Sequence, residues 1–248
     1  MRFIIMHKTD ARWERGEIPS PQLIARVGTL ISEMAKANVL LGAEGLRASS
    51  HGVRLKFSGG VRTVTKGPFQ GDNELPAGFS ILRVQSLDEA IEWASRQAAV
   101  LGDVEIDIRP VTEAWDIGMM PRPEHVATLR YMALRKATTA SEAGAPLSPK
   151  QRAEMARLID ETQRTGAHLA TESLRPSARG RRYKNSRDGI SVIDGLALLA
   201  PPYWSSPVTP GRTLHLYQYW RSLVVAQEPG RPTPVEIHRY GVDEDHRS

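Results

Sequence analysis

The 248-residue sequence contains no cysteine. That removes disulfides, thiolate nucleophiles and thiolate metal sites together. It also lacks any apolar run approaching the ~18 residues that a membrane-spanning helix needs, so no membrane partner is expected. The stretch from Met1 to Lys8 is too short in its apolar part for a signal peptide and has no small-residue cleavage site. It reads as a strand, and the cytoplasm is the expected location. The seven histidines show no His-Glu-x-x-His spacing, and no glycine motif of the dinucleotide or P-loop kind is present. No metal or cofactor is therefore expected. Charge of one sign is in small excess: 33 Lys and Arg against 28 Asp and Glu give 33 − 28 = +5. Much of that excess sits between Arg179 and Arg187, which reads as a solvated hairpin, and nucleic acid ranks last among the partners.

What is present is an internal repeat. Sliding the chain by 128 residues places Arg2-Phe3 on Arg130-Tyr131, Lys8 on Lys136 and Ser20-Pro21 on Ser148-Pro149. The same shift places Glu44 on Glu172, Arg54 on Arg182 and Gly67 on Gly195. No gap is needed from Arg2 to Gly67. Asn38 falls on Gly166, each just after a helical pattern, and these are residue types that tolerate the left-handed backbone ending a helix. The organisation expected is a first copy over residues 1–112, a linker over 113–128 with one helical turn, and a second copy over 129–248 that diverges after about 195.

One copy reads β-α-β-β-β-α-β. Ser20 is a helix N-cap with Pro21 at the first helical position, and Leu23, Val27, Leu30, Ile31 and Met34 recur at helical spacing. Ser58-Gly59-Gly60 marks a hairpin, and Ser86-Leu87-Asp88-Glu89 a capping box. Val104, Ile106 and Ile108 alternate with Glu105, Asp107 and Arg109, the pattern of a half-buried strand. This order predicts an α+β fold: ferredoxin-like antiparallel sheets with helices on one face. The bare face of each sheet must find cover. Two copies stacked face to face, as an intrachain dimeric α/β barrel, provide it.

The second copy is hard to follow beyond Gly195. Seven prolines between Pro201 and Pro234 argue against central strands there, and no equivalent of the Phe79 strand is recognisable. Tyr203, Trp204, Tyr217, Tyr219 and Trp220 suit a remodelled core better than a new surface. An altered reading frame between about 196 and 234 is the sharper alternative. Pattern returns at Val235-Glu236-Ile237.

Residues 2–111 resemble the YCII-related proteins of the Asp-Gly-Pro-Phe type. The resemblance rests on Ala43-Glu44-Gly45-Leu46, on Arg54 with Phe57-Ser58-Gly59-Gly60, on Thr63 to Phe69, and on Ser86 to Ala94. It implies a dimeric α/β barrel with a pocket between sheet and helices, in a family of suspected enzymes whose activity is largely undetermined. Some members are encoded near alternative sigma factors. The signature Asp is Lys66 here, and of the acidic stretch after Phe69 only Glu74 remains. The His of the first helix, credited to the broader family in a His–Asp pair, has no counterpart between Leu23 and Ala37 or between Gln151 and Thr165.

Two carboxylates are candidate catalytic groups: Glu44, at the end of an apolar strand, and Asp194, which keeps the acidic signature position in the second copy. A buried strand-end carboxylate can act as a general base. Glu44 and its counterpart Glu172 are equally readable as ion-pair members, with Arg54 or Lys8 and with Arg182 or Lys136, and that reading is favoured. Lys8 and Lys136 lie where a pocket mouth is expected. With His7, Arg54, Glu74, Glu172 and Arg182 they form the candidate ligand-binding set. Two functions stay open: a small-ligand-binding or regulatory pseudo-dimeric barrel holding a small anion, and an isomerase, lyase or monooxygenase-like enzyme acting on one. Whether the chain is a monomer with an internal pseudo-dimer or a homodimer also stays open.

Overall fold

The computed structural model describes residues 2–9, 11–69, 75–186, 189–194 and 220–227. Strand β1 (Arg2–Lys8) leads through a short helix α1 (Ala11–Glu14) to α2 (Pro21–Lys36) and β2 (Leu40–Gly45). The hairpin β3 (Val53–Ser58) and β4 (Val61–Lys66) follows, then β5 (Pro76–Val84), α3 (Leu87–Leu101) and β6 (Val104–Pro110). The second half gives β7 (Leu129–Lys136), α4 (Thr139–Glu142), α5 (Pro149–Arg164), β8 (His168–Ser173), β9 (Arg181–Ser186), β10 (Gly189–Asp194) and β11 (Trp220–Gln227). The connection carries a turn over residues 114–118 and no helix.

Local chemistry sets these boundaries as expected. The Ser20 hydroxyl accepts from the Leu23 amide ahead of Pro21, and the Ser148 hydroxyl accepts from Gln151 ahead of Pro149. Asn38 at φ 54° and Gly166 at φ 73° both adopt the left-handed conformation after their helices. Gly59 and Gly60 take φ 55° and 79°, the two-residue turn whose twist suits a hairpin. From α2 to β10 the elements of the halves start 128 residues apart: 149 − 21, 168 − 40, 181 − 53 and 189 − 61 all equal 128.

The pairing of strands is less expected. The main sheet is antiparallel and six-stranded, in the order β4-β3-β6-β7-β5-β8. Its central part, β6-β7-β5-β8 with α3 and α5 on one face, is the ferredoxin-like α+β arrangement. Strands β3 to β6 come from the first half and β7 and β8 from the second. The reading in which a copy closes its own sheet is therefore corrected. Each β-α-β arm embraces a strand of the other half: β7 and β8 flank β5, while β1 and β2 flank β11 in a second, three-stranded sheet. The reason is local to the connection. It returns the chain beside β6, where the Val111 amide donates to the Arg130 carbonyl, and sequential antiparallel neighbours pair readily. Strand β11 fills the place of β5 although no such strand was recognised. The signal was the proline-free run Leu223-Val224-Val225-Ala226. Strands β9 and β10 form a separate two-stranded sheet.

Two apolar layers hold the molecule. On the helix face, Leu55, Leu82, Val84, Ile106 and Ile108 pack against Ala90, Trp93, Ala94 and Ala98 of α3 and Leu158 of α5. The three alanines bring α3 close to the sheet. On the opposite face, Phe79, Ile81, Met132 and Leu134 meet Ile4 and Met6 of β1. The second sheet thus covers the face that helices leave bare, as the stacking argument requires.

Candidate functional site

The face between the sheets is apolar at one end and charged at the other. Register puts Arg54 opposite Asp107 and Asp107 opposite Leu134, so Arg54, Asp107 and Lys136 share this face. Arg54 grips Asp107 with Nε at 2.6 Å and a terminal nitrogen at 2.9 Å, and Lys136 Nζ lies 2.8 Å from the same carboxylate. Asp107 and Lys136 are 2% and 1% exposed. Burial pushes the Asp107 carboxyl up, but Arg54 and Lys136 outweigh it and hold the acid below its ordinary range. Glu105 joins at 3.4 Å from Arg54 Nε, with one carboxylate oxygen buried and lacking a hydrogen-bond partner among the described residues. The alternation in β6 had suggested a solvent face for Glu105, Asp107 and Arg109. Ion pairs with Arg54 and Lys136, and contacts of Arg109 with Glu14 and the Arg47 carbonyl, bury that face instead.

A loop after β4 roofs the cluster. The Phe69 ring lies over the Arg54 guanidinium, 5.0 Å from centroid to carbon. Gly67 abuts the 3₁₀ turn Ser49–His51 so closely that a Cβ there would meet the Ser49 carbonyl oxygen at 1.8 Å. Gly67 donates to the Gly52 carbonyl at 3.0 Å, and the Phe69 amide donates to the Ser49 hydroxyl at 3.3 Å. The fully buried Ser49 hydroxyl in turn donates to Glu14 at 2.5 Å. Arg109 completes the brace, donating to the Arg47 carbonyl and reaching Glu14 at 3.5 Å. Lys66, the departure from the signature, sits exposed at the end of β4. Gly67-Pro68-Phe69 is therefore a clamp that fixes the roof over Arg54.

These residues lie within a stretch that matches a known family model. Residues 1–113 are a YCII-related domain. No curated protein and no solved structure matches the chain. Among the described residues of this stretch the buried charges are Asp107 and Arg109, with Arg54 partly buried beside them. Lys136 comes from outside it, so the cluster is composite. The second half repeats the Glu14–Ser49 contact, with the Ser177 amide and hydroxyl donating to Glu142.

A second charged group joins the two sheets. Arg130 reaches Glu44 at 2.6 Å and grips Glu113 through two nitrogens at 2.8 Å each. Burial raises Glu44 above its ordinary value, and the pull of Arg130 only partly offsets this. Arg2, the residue 128 before Arg130, pairs with Glu172, the residue 128 after Glu44. Residue i of one half thus meets j of the other, and j meets i, the contact pattern of a two-fold axis.

The sequence-chosen residues scatter. Glu44 pairs with Arg130 and Glu172 with Arg2, not with Arg54, Lys8, Arg182 or Lys136 as expected. Arg54 and Lys136 do come together, on Asp107, and Lys136 is buried within its strand rather than set at an open mouth. His7 is exposed on β1, and Lys8 ends that strand half-buried. Arg182 lies on β9 opposite Ile193, and Asp194 ends β10 opposite Arg181. Glu74 lies outside the described residues, as do residues 195–219 with Tyr203, Trp204, Tyr217 and Tyr219, and Val235 to Ile237; of Trp220 only the strand position is described. Asp107, Phe69, Glu14 and Arg130 were missed. The available signal was the charge of β6, where Glu105, Asp107 and Arg109 alternate with apolar residues. Among the described residues no group of His, Asp and Glu could hold a metal ion, and no helix is long and apolar enough to cross a membrane.

Proposed function

We propose that the chain is a ligand-binding barrel that holds a small anion at the charged end of the inter-sheet layer, with Arg54 and Lys136 as its cationic walls. One observation carries this reading: charges are buried where apolar side chains would serve stability equally well. An ion pair removed from water gains little net stability, and well-packed apolar replacements are often neutral or better. Arg54 and Glu105 keep 11% and 17% of their side-chain exposure, so the cluster touches solvent at its rim. Asp107 stays ionised beside two cations and is unsuited to passing a proton near neutrality, which favours binding over acid–base chemistry. The two halves descend from one duplicated unit, supported by the common offset of 128 and the reciprocal arginine–glutamate pairs. The protein works as a cytoplasmic monomer carrying its own pseudo-dimer.

The enzyme reading has one observation of its own, the raised Glu44 carboxyl beside Arg130. A general base there would need Glu44 released from that arginine.

Calorimetric titration of the full chain with small mono- and dicarboxylates tests the proposal. Saturable binding is expected, weakened about tenfold or more by Arg54→Lys, which keeps the charge but loses the two-nitrogen grip. Unchanged affinity in a folded Arg54→Lys protein would remove this site from the account.

A further inference from the structure

A different part of the molecule offers a second site. The connection between the halves folds over the end of β6 and the start of β7 and encloses a cleft of about 60 Å³. Its wall includes Arg47, Arg122 and Arg130, with Trp115, Tyr131 and Leu129 supplying apolar surface. Glu113 and Asp116 also face it. These charges are not equally committed. Arg130 is occupied by Glu113 and by Glu44, and Asp116 accepts from the Glu113 amide at 3.0 Å. Arg47 and Arg122 have no ion-pair partner among the described residues, although Arg47 is only half exposed and its carbonyl anchors Arg109. A guanidinium group matches the planar, two-oxygen geometry of a carboxylate, and two uncommitted ones line this wall. Size then limits the ligand. A single water needs about 10–15 Å³ of such space, so a cleft of about 60 Å³ accommodates a carboxylate-sized head and leaves a larger body outside.

We infer that this cleft binds an organic carboxylate with a flat apolar body: the head between Arg47 and Arg122, the body on Trp115. The site is independent of the inter-sheet cluster. It is built by the connection, so one isolated half would not contain it.

The test is titration of the full chain with benzoate, acetate and inorganic phosphate, followed by calorimetry and by the indole resonances in ¹H–¹⁵N NMR spectra. Benzoate is expected to bind saturably below about 10 mM, shift one indole resonance that Trp115→Phe removes from the spectrum, and bind more tightly than acetate. Charged hydrogen bonds are worth enough that Arg122→Gln should weaken benzoate about tenfold or more. Arg122 is exposed, so this variant is expected to fold normally. Arg47→Gln should act in the same direction. Lys150→Gln, an equal loss of charge on the exposed face of α5, should change nothing. Affinities being read from the Trp115 resonance, three results overturn the inference: benzoate affinity unchanged in Arg122→Gln, an equal loss in Lys150→Gln, or acetate and phosphate shifting that resonance as tightly as benzoate.

Discussion

Replacing Asp107 by Asn separates the two roles of the buried cluster. The amide keeps the shape but removes the one full negative charge that, among the described residues, both Arg54 and Lys136 hold. Lys136, 1% exposed, has no route to water, and Arg54 is 11% exposed. Stripping one partner from a buried ion pair costs about 3–5 kcal/mol, because the remaining charge stays buried without compensation. Lys136→Met is milder. Asp107 keeps both hydrogen bonds from Arg54, so the loss is about 1.5–3 kcal/mol, the range for a bond to a charged group. The double change Asp107→Leu with Lys136→Met removes both buried ions and lets Arg54 turn toward the rim. It should recover to within about 1–2 kcal/mol of the parent. Urea unfolding followed by circular dichroism measures all three proteins, with unchanged slopes confirming a common transition. The pH dependence adds a check. Asp107 is depressed in the folded state, so its contribution is complete above the ordinary aspartate value of about 3.9 and is lost as pH falls through the folded value. That acid-side slope should shrink in Asp107→Asn. A cost below about 1 kcal/mol for Asp107→Asn, or a double variant that loses as much as Asp107→Asn alone, would refute the view that burial makes these charges interdependent.

Two further outcomes follow from the surrounding geometry. Gly67→Ala puts a methyl 1.8 Å from the Ser49 carbonyl oxygen, so the loop must shift off the 3₁₀ turn; overpacking of this kind costs about 1–3 kcal/mol, read as a lower urea midpoint, and an unchanged midpoint would show that the clamp is loose. Glu44 should titrate above the ordinary glutamate range, and Arg130→Gln should raise it further, because burial and the like charge of Glu113 then act unopposed; ¹³C carboxyl NMR detects this, and a downward shift would contradict it.

Much of the local structure was legible. Ser20 with Pro21, the turn at Gly59-Gly60, and the shared left-handed conformation of Asn38 and Gly166 depend on a few consecutive residues, and a few consecutive residues suffice to read them. The polarity of β6 was misread for a matching reason. Alternation reveals that a strand has two faces, but says nothing about what lies on each. Asp107 and Arg109 read as solvent-facing because the groups that meet them come from distant parts of the chain: Arg54 and Lys136 on Asp107, Glu14 and the Arg47 carbonyl on Arg109. The Arg54–Asp107–Lys136 cluster was half visible, since Arg54 and Lys136 were chosen for their charge. The acid between them was not, because only strand pairing brings it there.

By itself the amino-acid order determined the elements, their caps, their turns and the 128-residue spacing that relates the halves. These follow from backbone preferences and side-chain contacts within a few residues. Which β-α-β arm embraces which strand, and hence that Lys136 of the second half completes a charged cluster begun by Arg54 and Asp107 of the first, was decided by tertiary structure alone. Backbone hydrogen bonds between strands are nearly indifferent to sequence, so partner choice rests on the connection at 111–128 and on the apolar faces that must be covered together.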